Sequence, residues 1–298
     1  MIISYLQDKY YSKNHLSKET SSHWNKYGKS QALNLIDEKY KLSGSGFGDF
    51  VTNSPLNILL SIPSRMLISY LLRNSDSSII TLTKNIAKKH NRLFSYDMAR
   101  MILTVEILKK NINLNNMTIA IIGDGYGVLG TILKGLFPLV RIIFINLGRT
   151  LVFDVYYTQE YFPTHQHNLI TNNKTNLSDD FNYIEAEISD SINISADLFI
   201  NTVSMQEMNH EIIKKYFKLI RSQNKNTWFY CCNRIEKELP DKTRTNFFDY
   251  GWLSTDNIIF DELCPWQKWG VKNRPPFIFK FEGLIQHRLI KITKNKIK

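Results

Sequence analysis

The 298-residue chain is 43% hydrophobic and carries a formal net charge of +11. That apolar content excludes wholesale disorder, and the length allows one large domain or one domain with an extension. The charge favours anionic partners, but the lysines are scattered (Lys109 and Lys110, Lys214 and Lys215, then Lys291, Lys294, Lys296 and Lys298), so no block reads as a nucleic-acid footprint and a solvated basic face is the simpler account.

The first residues, MIISYLQDKYYSK, lack the apolar core and small-residue cleavage site of a signal peptide. Residues 1–90 read as mainly helical with loops. A glycine cluster, SGSGFGDF (Ser43 to Phe50), follows a polar helical pattern (NLIDEKYK) rather than a strand, so it reads as a flexible turn and not a phosphate cradle. PLNILLSIPSRMLISYLL, Pro55 to Leu72, is the most membrane-like stretch. Pro63 and Arg65 interrupt it and neither half is long enough to span a bilayer, so it reads as buried or amphipathic helix, with no transmembrane segment expected. Cys231, Cys232 and Cys264 form no metal spacing and suit a reducing compartment, which makes a cytoplasmic protein the expectation.

At Ser95 the pattern sharpens. SYDMARMILTVEILKKN offers Ser95 as an N-cap, Asp97 in the first turn, and Met98, Met101, Ile102, Val105 and Leu108 on one face. MTIAIIG then reads as a strand buried on both faces, as in a parallel sheet. VLGTILKGLF is a short helix closed by Pro138; VRIIFIN, Val140 to Asn146, is a second buried strand; TLVFDVYYTQEYF is a helix stopped by Pro163. A polar, Asn-rich stretch follows. ADLFINTVS is the next strand, NHEIIKKYFKLI an amphipathic helix, TWFYCCN a strand, and NIIFDEL and LIKITK two late strands. Strands alternating with helices predict an α/β fold around a mainly parallel sheet, with residues 1–94 as a helical extension and 95–298 as the main domain.

Gly123, Gly125 and Gly127 fall directly after the first buried strand. Glycine permits left-handed backbone and close approach of a ligand, and the helix that follows points its free N–H groups there. Gly125, Gly127 and Gly130 match the dinucleotide fingerprint one step late; G-x-G-x-G from Gly123 fits directly after the strand.

That alternating form resembles the first motif of class I S-adenosylmethionine-dependent methyltransferases. IAIIGDGYGVLG, IIFINLGRTL, DLFINTVSMQEMNHEIIKKYF, YCCNRIEK and DELCPW together resemble the cofactor half of bacterial proteins described as sugar O-methyltransferases, over about residues 95–295. The resemblance implies a Rossmann-like fold with a mainly parallel seven-stranded sheet, S-adenosyl-L-methionine as cofactor, a sugar hydroxyl as acceptor, and a place in surface-polysaccharide assembly. Gly123, Asp124, Gly125, Gly127, Asn146 and Leu147 then fall at cofactor-binding positions. Two positions depart from the family. Ile121 stands two residues before the first glycine, and Asn146 ends the second strand, where the family has acidic residues. Asparagine makes a weaker ribose bond than a carboxylate, by on the order of 1 kcal/mol, and aspartate at 146 is expected to bind the cofactor more tightly. Asp124 is a candidate to compensate.

A hydroxyl acceptor needs a base. Glu207, in SMQEMNH past the fourth strand, is the leading candidate, against the plainer role of a carboxylate at a helix start; His210 is the second, against a solvent-exposed first-turn histidine. Gln206 suits a sugar hydroxyl or a cap. Asn233 and Arg234 follow the next strand, where Arg234 suits a phosphate or carboxylate, or an ion pair with Glu236 or Glu238. Trp266 and Trp269 suit sugar stacking or core packing. His165 and His167 lack further ligands in a motif, so no metal is expected. Two other readings stand beside this one: an RNA-directed methyltransferase, motivated by the charge, and a non-catalytic binding protein on the same scaffold, motivated by Ile121 and Asn146.

Overall fold

The computed structural model describes residues 2–12, 19–27, 31–36, 39–44, 55–172, 177–272 and 274–293. The chain opens with α1 (Ile2–Gln7), which runs into a π-helical turn (Asp8–Ser12), and then α2 (Ser22–Tyr27). β1 (Gln31–Ile36) and β2 (Lys39–Gly44) pair as an antiparallel hairpin. This hairpin departs from the helical pattern expected for the NLIDEKYK stretch; the other described elements of the first ninety residues are helices. KYKLSG alternates polar and apolar, and over so short a stretch the helical and strand periods are both satisfied. The remainder of the first glycine cluster, residues 45–50, lies outside the described residues.

The stretch from Pro55 is two helices, α3 (Pro55–Leu60) and α4 (Ile62–Leu71). Pro63 sits in the first turn of α4, where its missing N–H leaves no bond unmade. Ile68 and Leu72 turn inward, while Leu56, Leu59, Met66 and Tyr70 stay exposed, so the stretch is amphipathic rather than buried. α5 (Ser77–Lys89) and α6 (Tyr96–Asn111) follow, and Ser95 caps α6 by accepting from the Met98 N–H at 3.2 Å. No described helix is long and apolar enough to cross a membrane.

The main sheet starts at β3 (Thr118–Ile122) and is built with α7 (Val128–Leu136), β4 (Arg141–Asn146), α8 (Gly148–Tyr161), β5 (His167–Ile170), β6 (Phe181–Glu185), β7 (Leu198–Thr202), α9 (His210–Arg221) and β8 (Thr227–Arg234). After a small hairpin, β9 (Glu236–Glu238) with β10 (Arg244–Asn246), come β11 (Asn257–Leu263), a second hairpin of β12 (Trp269–Val271) and β13 (Ile278–Lys280), and β14 (Ile285–Ile292). The order is β11-β14-β8-β7-β3-β4-β6-β5. Neighbours from β5 to β8 are parallel, and β14 runs antiparallel to both β8 and β11. This is the expected Rossmann-like α/β fold, a mainly parallel sheet flanked by helices, with eight strands in place of seven. β5 and β6 lie in the stretch that reads as polar and Asn-rich; their short runs become strands because neighbouring strands and helices bury them.

Period-two alternation divides the core. Ile119 and Ile121 face one layer with α1, α5, α6, α7 and α8, whereas Ala120 and Ile122 face the other with α9. Both faces are therefore covered, and only the strand ends remain open to a ligand. Before Ser95, no described strand joins this sheet.

Candidate functional site

Strand order reverses between β3 and β7, and the crevice outside the carboxyl ends at such a switch point is where open α/β sheets bind ligands. Gly123, Gly125 and Gly127 line that edge with φ of +71°, +90° and +70°. A side chain at Gly123 would overlap Ser204, and one at Gly127 would come within 3.0 Å of the Asp154 carbonyl oxygen. Opposite the loop, Val203 holds φ 57°. A β-branched residue in that region carries strain of order 1–3 kcal/mol. It is held there by its N–H bond to Cys232 O (2.7 Å), while Asn201 Nδ2 donates to Ile122 O (2.8 Å) and to Ser204 Oγ (2.7 Å), tying the two strand ends together.

Two cavities flank this edge and share Gly123 and Ser204. One, about 150 Å³, is lined by Arg92, Asp97, Arg100, Tyr126, Tyr157 and Glu207, among others. The other, about 30 Å³, is lined by Gly125, Asn146, Leu147 and Thr150, and by Glu19, Ser21 and Trp24 from the N-terminal segment.

Three polar groups behind the loop form one network. Asp124 accepts from the Leu129 N–H (3.2 Å) and the Gly130 N–H (2.8 Å), so it caps α7 while also lining the larger cavity. Burial pushes its carboxyl up to about 6, against the opposing pull of those N–H groups. Asn146 is buried; it donates to Asp154 Oδ2 (2.8 Å) and accepts from the Leu147 N–H (2.9 Å). Its amide is thus bonded inward to Asp154, although the residue also lines the small cavity. Asp154 is fully buried, and burial first, then the nearby Asp124, raises its carboxyl well above the usual range. Its signal in the sequence was a lone carboxylate inside the apolar run LVFDVYY.

Glu207 lines the larger cavity as expected, and Lys237 Nζ donates to its Oε1 at 2.6 Å. The histidine beside it is His23 of α2, with Nε2 3.4 Å from Glu207 Oε2, and not His210. His210 is exposed as the first residue of α9. Burial lowers the His23 pKa, with Glu207 pulling the other way. No local pattern marked His23, because its role comes from packing against a strand end far along the chain.

Gln206 and Asn233 are buried and bonded within the scaffold. Gln206 Oε1 accepts from the Arg234 N–H (2.8 Å), Asn233 Oδ1 accepts from the Gln206 N–H (3.1 Å), and Asn233 Nδ2 donates to Asn201 Oδ1 (2.7 Å). Neither residue lines the two cavities described at this edge. The Arg234 guanidinium lies 4.5 Å from the Phe281 ring centre and makes no described ion pair with Glu236 or Glu238. Trp266 is buried and Trp269 is 40% exposed. His167 bonds Tyr183 Oη (2.7 Å) and Phe162 O (2.9 Å), and no cluster of three His, Cys, Asp or Glu residues suited to a metal occurs among the described residues.

The charge of this edge is mixed, as that of S-adenosylmethionine is: Asp97 and Glu207 suit a sulfonium and an ammonium, Arg92 and Arg100 line the same cavity and suit a carboxylate, and Asp97 and Glu207 are already paired with Arg100 and Lys237. S-Adenosylmethionine does not fit by volume on the Asn146 side, since pockets for molecules of this size run to about 300–1,000 Å³ and Ser21 and Trp24 narrow the space there to about 30 Å³.

No family model matches the chain, and no curated protein matches it. Among solved structures, it is similar to *Thermoplasma acidophilum* 1320 (TM-score 0.45, 9% identity, 72% of this chain and 99% of that one). It is similar to coclaurine N-methyltransferase solved with N-methylheliamine and SAH (TM-score 0.43, 9% identity, 80% and 95%). It is also similar to a SAM-dependent methyltransferase from *Aquifex aeolicus* (TM-score 0.41, 8% identity, 76% and 98%).

Proposed function

We propose that the protein is an S-adenosylmethionine-dependent O-methyltransferase acting on a sugar hydroxyl, in surface-polysaccharide assembly. The observation that carries the transferase reading is the left-handed glycine loop at the switch point, facing a cavity lined by Glu207. The sugar acceptor rests on the resemblance of the sequence motifs.

When bound, S-adenosylmethionine supplies a methyl group on a positively charged sulfur. Gly123, Gly125 and Gly127 form the backbone floor that would hold it, with Leu147 and Thr150 on the ribose side. Glu19 lines the same small cavity as Asn146 and offers the carboxylate that position 146 lacks. Glu207 would take the acceptor hydroxyl proton on its carboxylate as the hydroxyl oxygen bonds the methyl carbon, while the electron pair of the broken carbon–sulfur bond stays on sulfur and S-adenosylhomocysteine leaves. Lys237 holds that carboxylate in place, and His23, kept neutral at pH 7 by its lowered pKa, stands ready to accept the proton onward.

A second reading, a non-catalytic binding protein on this scaffold, is favoured by the inward Asn146 and the narrow ribose side. Calorimetric titration with S-adenosylmethionine and S-adenosylhomocysteine separates the two. The transferase reading expects both to bind, and Gly125→Val, which forces a branched side chain into φ +90°, to abolish binding while the fold persists. Absence of binding by the native protein would leave the second reading.

A further inference from the structure

The 150 Å³ cavity at Glu207 does not end at the acceptor position. It shares Leu93 and Ser95 with a larger groove of about 470 Å³ between α4, α5 and the segment leading into α6. Ile68, Leu72, Ile80 and Phe94 give that groove an apolar floor. Arg65 and Lys84 are its cations, and no aspartate or glutamate lines it. Neither cation makes an ion pair among the described residues; Arg65 Nη2 donates to the Ile58 carbonyl at 3.3 Å. Outside the groove, Leu59, Met66 and Tyr70 are 60%, 68% and 61% exposed, so the outer helix face carries apolar surface with no described cover.

We infer that this groove holds the far end of the acceptor, and that the acceptor is an amphipathic anion: a phosphate ester carrying a hydrocarbon chain. The inference rests on the reading of the adjoining cavity as the acceptor site. Ser61, Ser64, Ser69 and Ser95 also line the groove, but Ser61 and Ser64 donate to the Ile58 and Ser61 carbonyls and Ser95 accepts from the Met98 N–H, so an unattached sugar would find few unused hydrogen-bonding groups beside the apolar floor, and the charged groups are of one sign. A hydrocarbon chain suits the floor and the exposed helix face, a phosphate suits Arg65 and Lys84, and the shared sill at Leu93 and Ser95 connects both to Glu207. The groove volume falls within the usual range for ligand pockets, about 300–1,000 Å³.

The test uses four probes on the purified full chain below their micelle concentrations: dodecyl phosphate, octyl phosphate, dodecyl maltoside and inorganic phosphate. Dodecyl phosphate is expected to bind at least about tenfold more tightly than octyl phosphate, since each buried methylene contributes about 0.8 kcal/mol, a factor of about four. It is also expected to bind about tenfold more tightly than dodecyl maltoside. The double substitution Arg65→Gln and Lys84→Gln, both at exposed positions, should erase the preference over dodecyl maltoside and leave S-adenosylhomocysteine affinity within about twofold. Equal binding of the neutral and anionic amphiphiles, equal binding of inorganic phosphate, or a preference that survives the double substitution would each overturn the inference. So would protein self-association blocked by dodecyl phosphate, which would assign the apolar face to a second copy of the chain. Failure of S-adenosylhomocysteine to bind the native protein, with the amphiphile preference intact, would instead overturn the transferase reading.

Discussion

Asp154 is a carboxyl group with one oxygen bonded to Asn146, the other without a hydrogen-bond partner, and a second carboxyl, Asp124, nearby. Both are raised in the folded protein, so folding favours their protonated forms. Their stabilising contribution is therefore complete below the unfolded pKa, near 4, and is lost as pH rises through about 6 for Asp124 and higher for Asp154. Asp154→Asn keeps an acceptor for Asn146 and removes the titrating group. Thermal or denaturant unfolding should show it more stable than the native protein by about 1–3 kcal/mol at pH 8, with the difference shrinking towards pH 5. Asn146→Asp should act in the opposite direction, because it deletes the donor to Asp154 and adds a third carboxyl; it should destabilise the protein and loosen cofactor binding. The sequence, which shows only a strand-end asparagine where a carboxylate is usual, predicts the reverse. At the acceptor side, Glu207→Gln should lower methyl transfer by about 10²-fold or more at unchanged cofactor affinity. His23→Ala should lower it too, and His210→Ala should leave it unchanged; steady-state kinetics on the three variants distinguishes these. Loss of activity in His210→Ala alone would remove the Glu207–His23 assignment.

At the scale of elements, the N-terminal segment is built into the site. Ile3, Leu6 and Tyr10 join the main core. The Tyr10 ring packs on Gly148 so closely that a side chain there would overlap it, and Tyr10 and Lys9 both bond the Glu185 carboxylate at the end of β6. Glu19 pairs with Lys215 of α9, and α2 then brings Trp24 to the small cavity and His23 to Glu207. The segment thus crosses the edge where the ribose and adenine would lie. Cofactor binding should shift Ser21 and Trp24 out of the small cavity, with Glu19 and His23 kept at their places beside it, and leave the strands alone. Hydrogen exchange with and without S-adenosylhomocysteine is expected to show altered amide exchange in α2 and unchanged exchange in β3, β4 and β7. Tight binding with unaltered exchange in α2 would mean that the cofactor enters elsewhere.

At the scale of the whole molecule, Ile121 shows why restoring a family residue need not restore a function. It is 1% exposed and belongs to the core layer under α6, α7 and α8. Ile121→Asp would bury a carboxyl among apolar side chains, so its denaturant midpoint should fall by the equivalent of about 3 kcal/mol or more. A midpoint close to that of the native protein would show that the side chain reaches solvent or a partner at the strand end.

The local sequence determined the α/β alternation, the buried character of β3 and β4, the Ser95 cap and the glycine loop, because each depends on the spacing of residues within a few turns of chain. It also marked Glu207, whose position after a strand places it at the ligand edge. The tertiary structure decided the rest. Short polar runs became β5 and β6 only where neighbouring elements buried them, and β1–β2 formed where the helical and strand periods could not be told apart. Asn146 faces inward because Asp154 of the following helix offers it a partner, Gln206 and Asn233 are drawn into a strand-end network, and His23 reaches Glu207 because α2 folds back across the sheet. Side-chain direction at a strand end is set by whichever distant group satisfies its hydrogen bonds, and local periodicity carries no record of that partner.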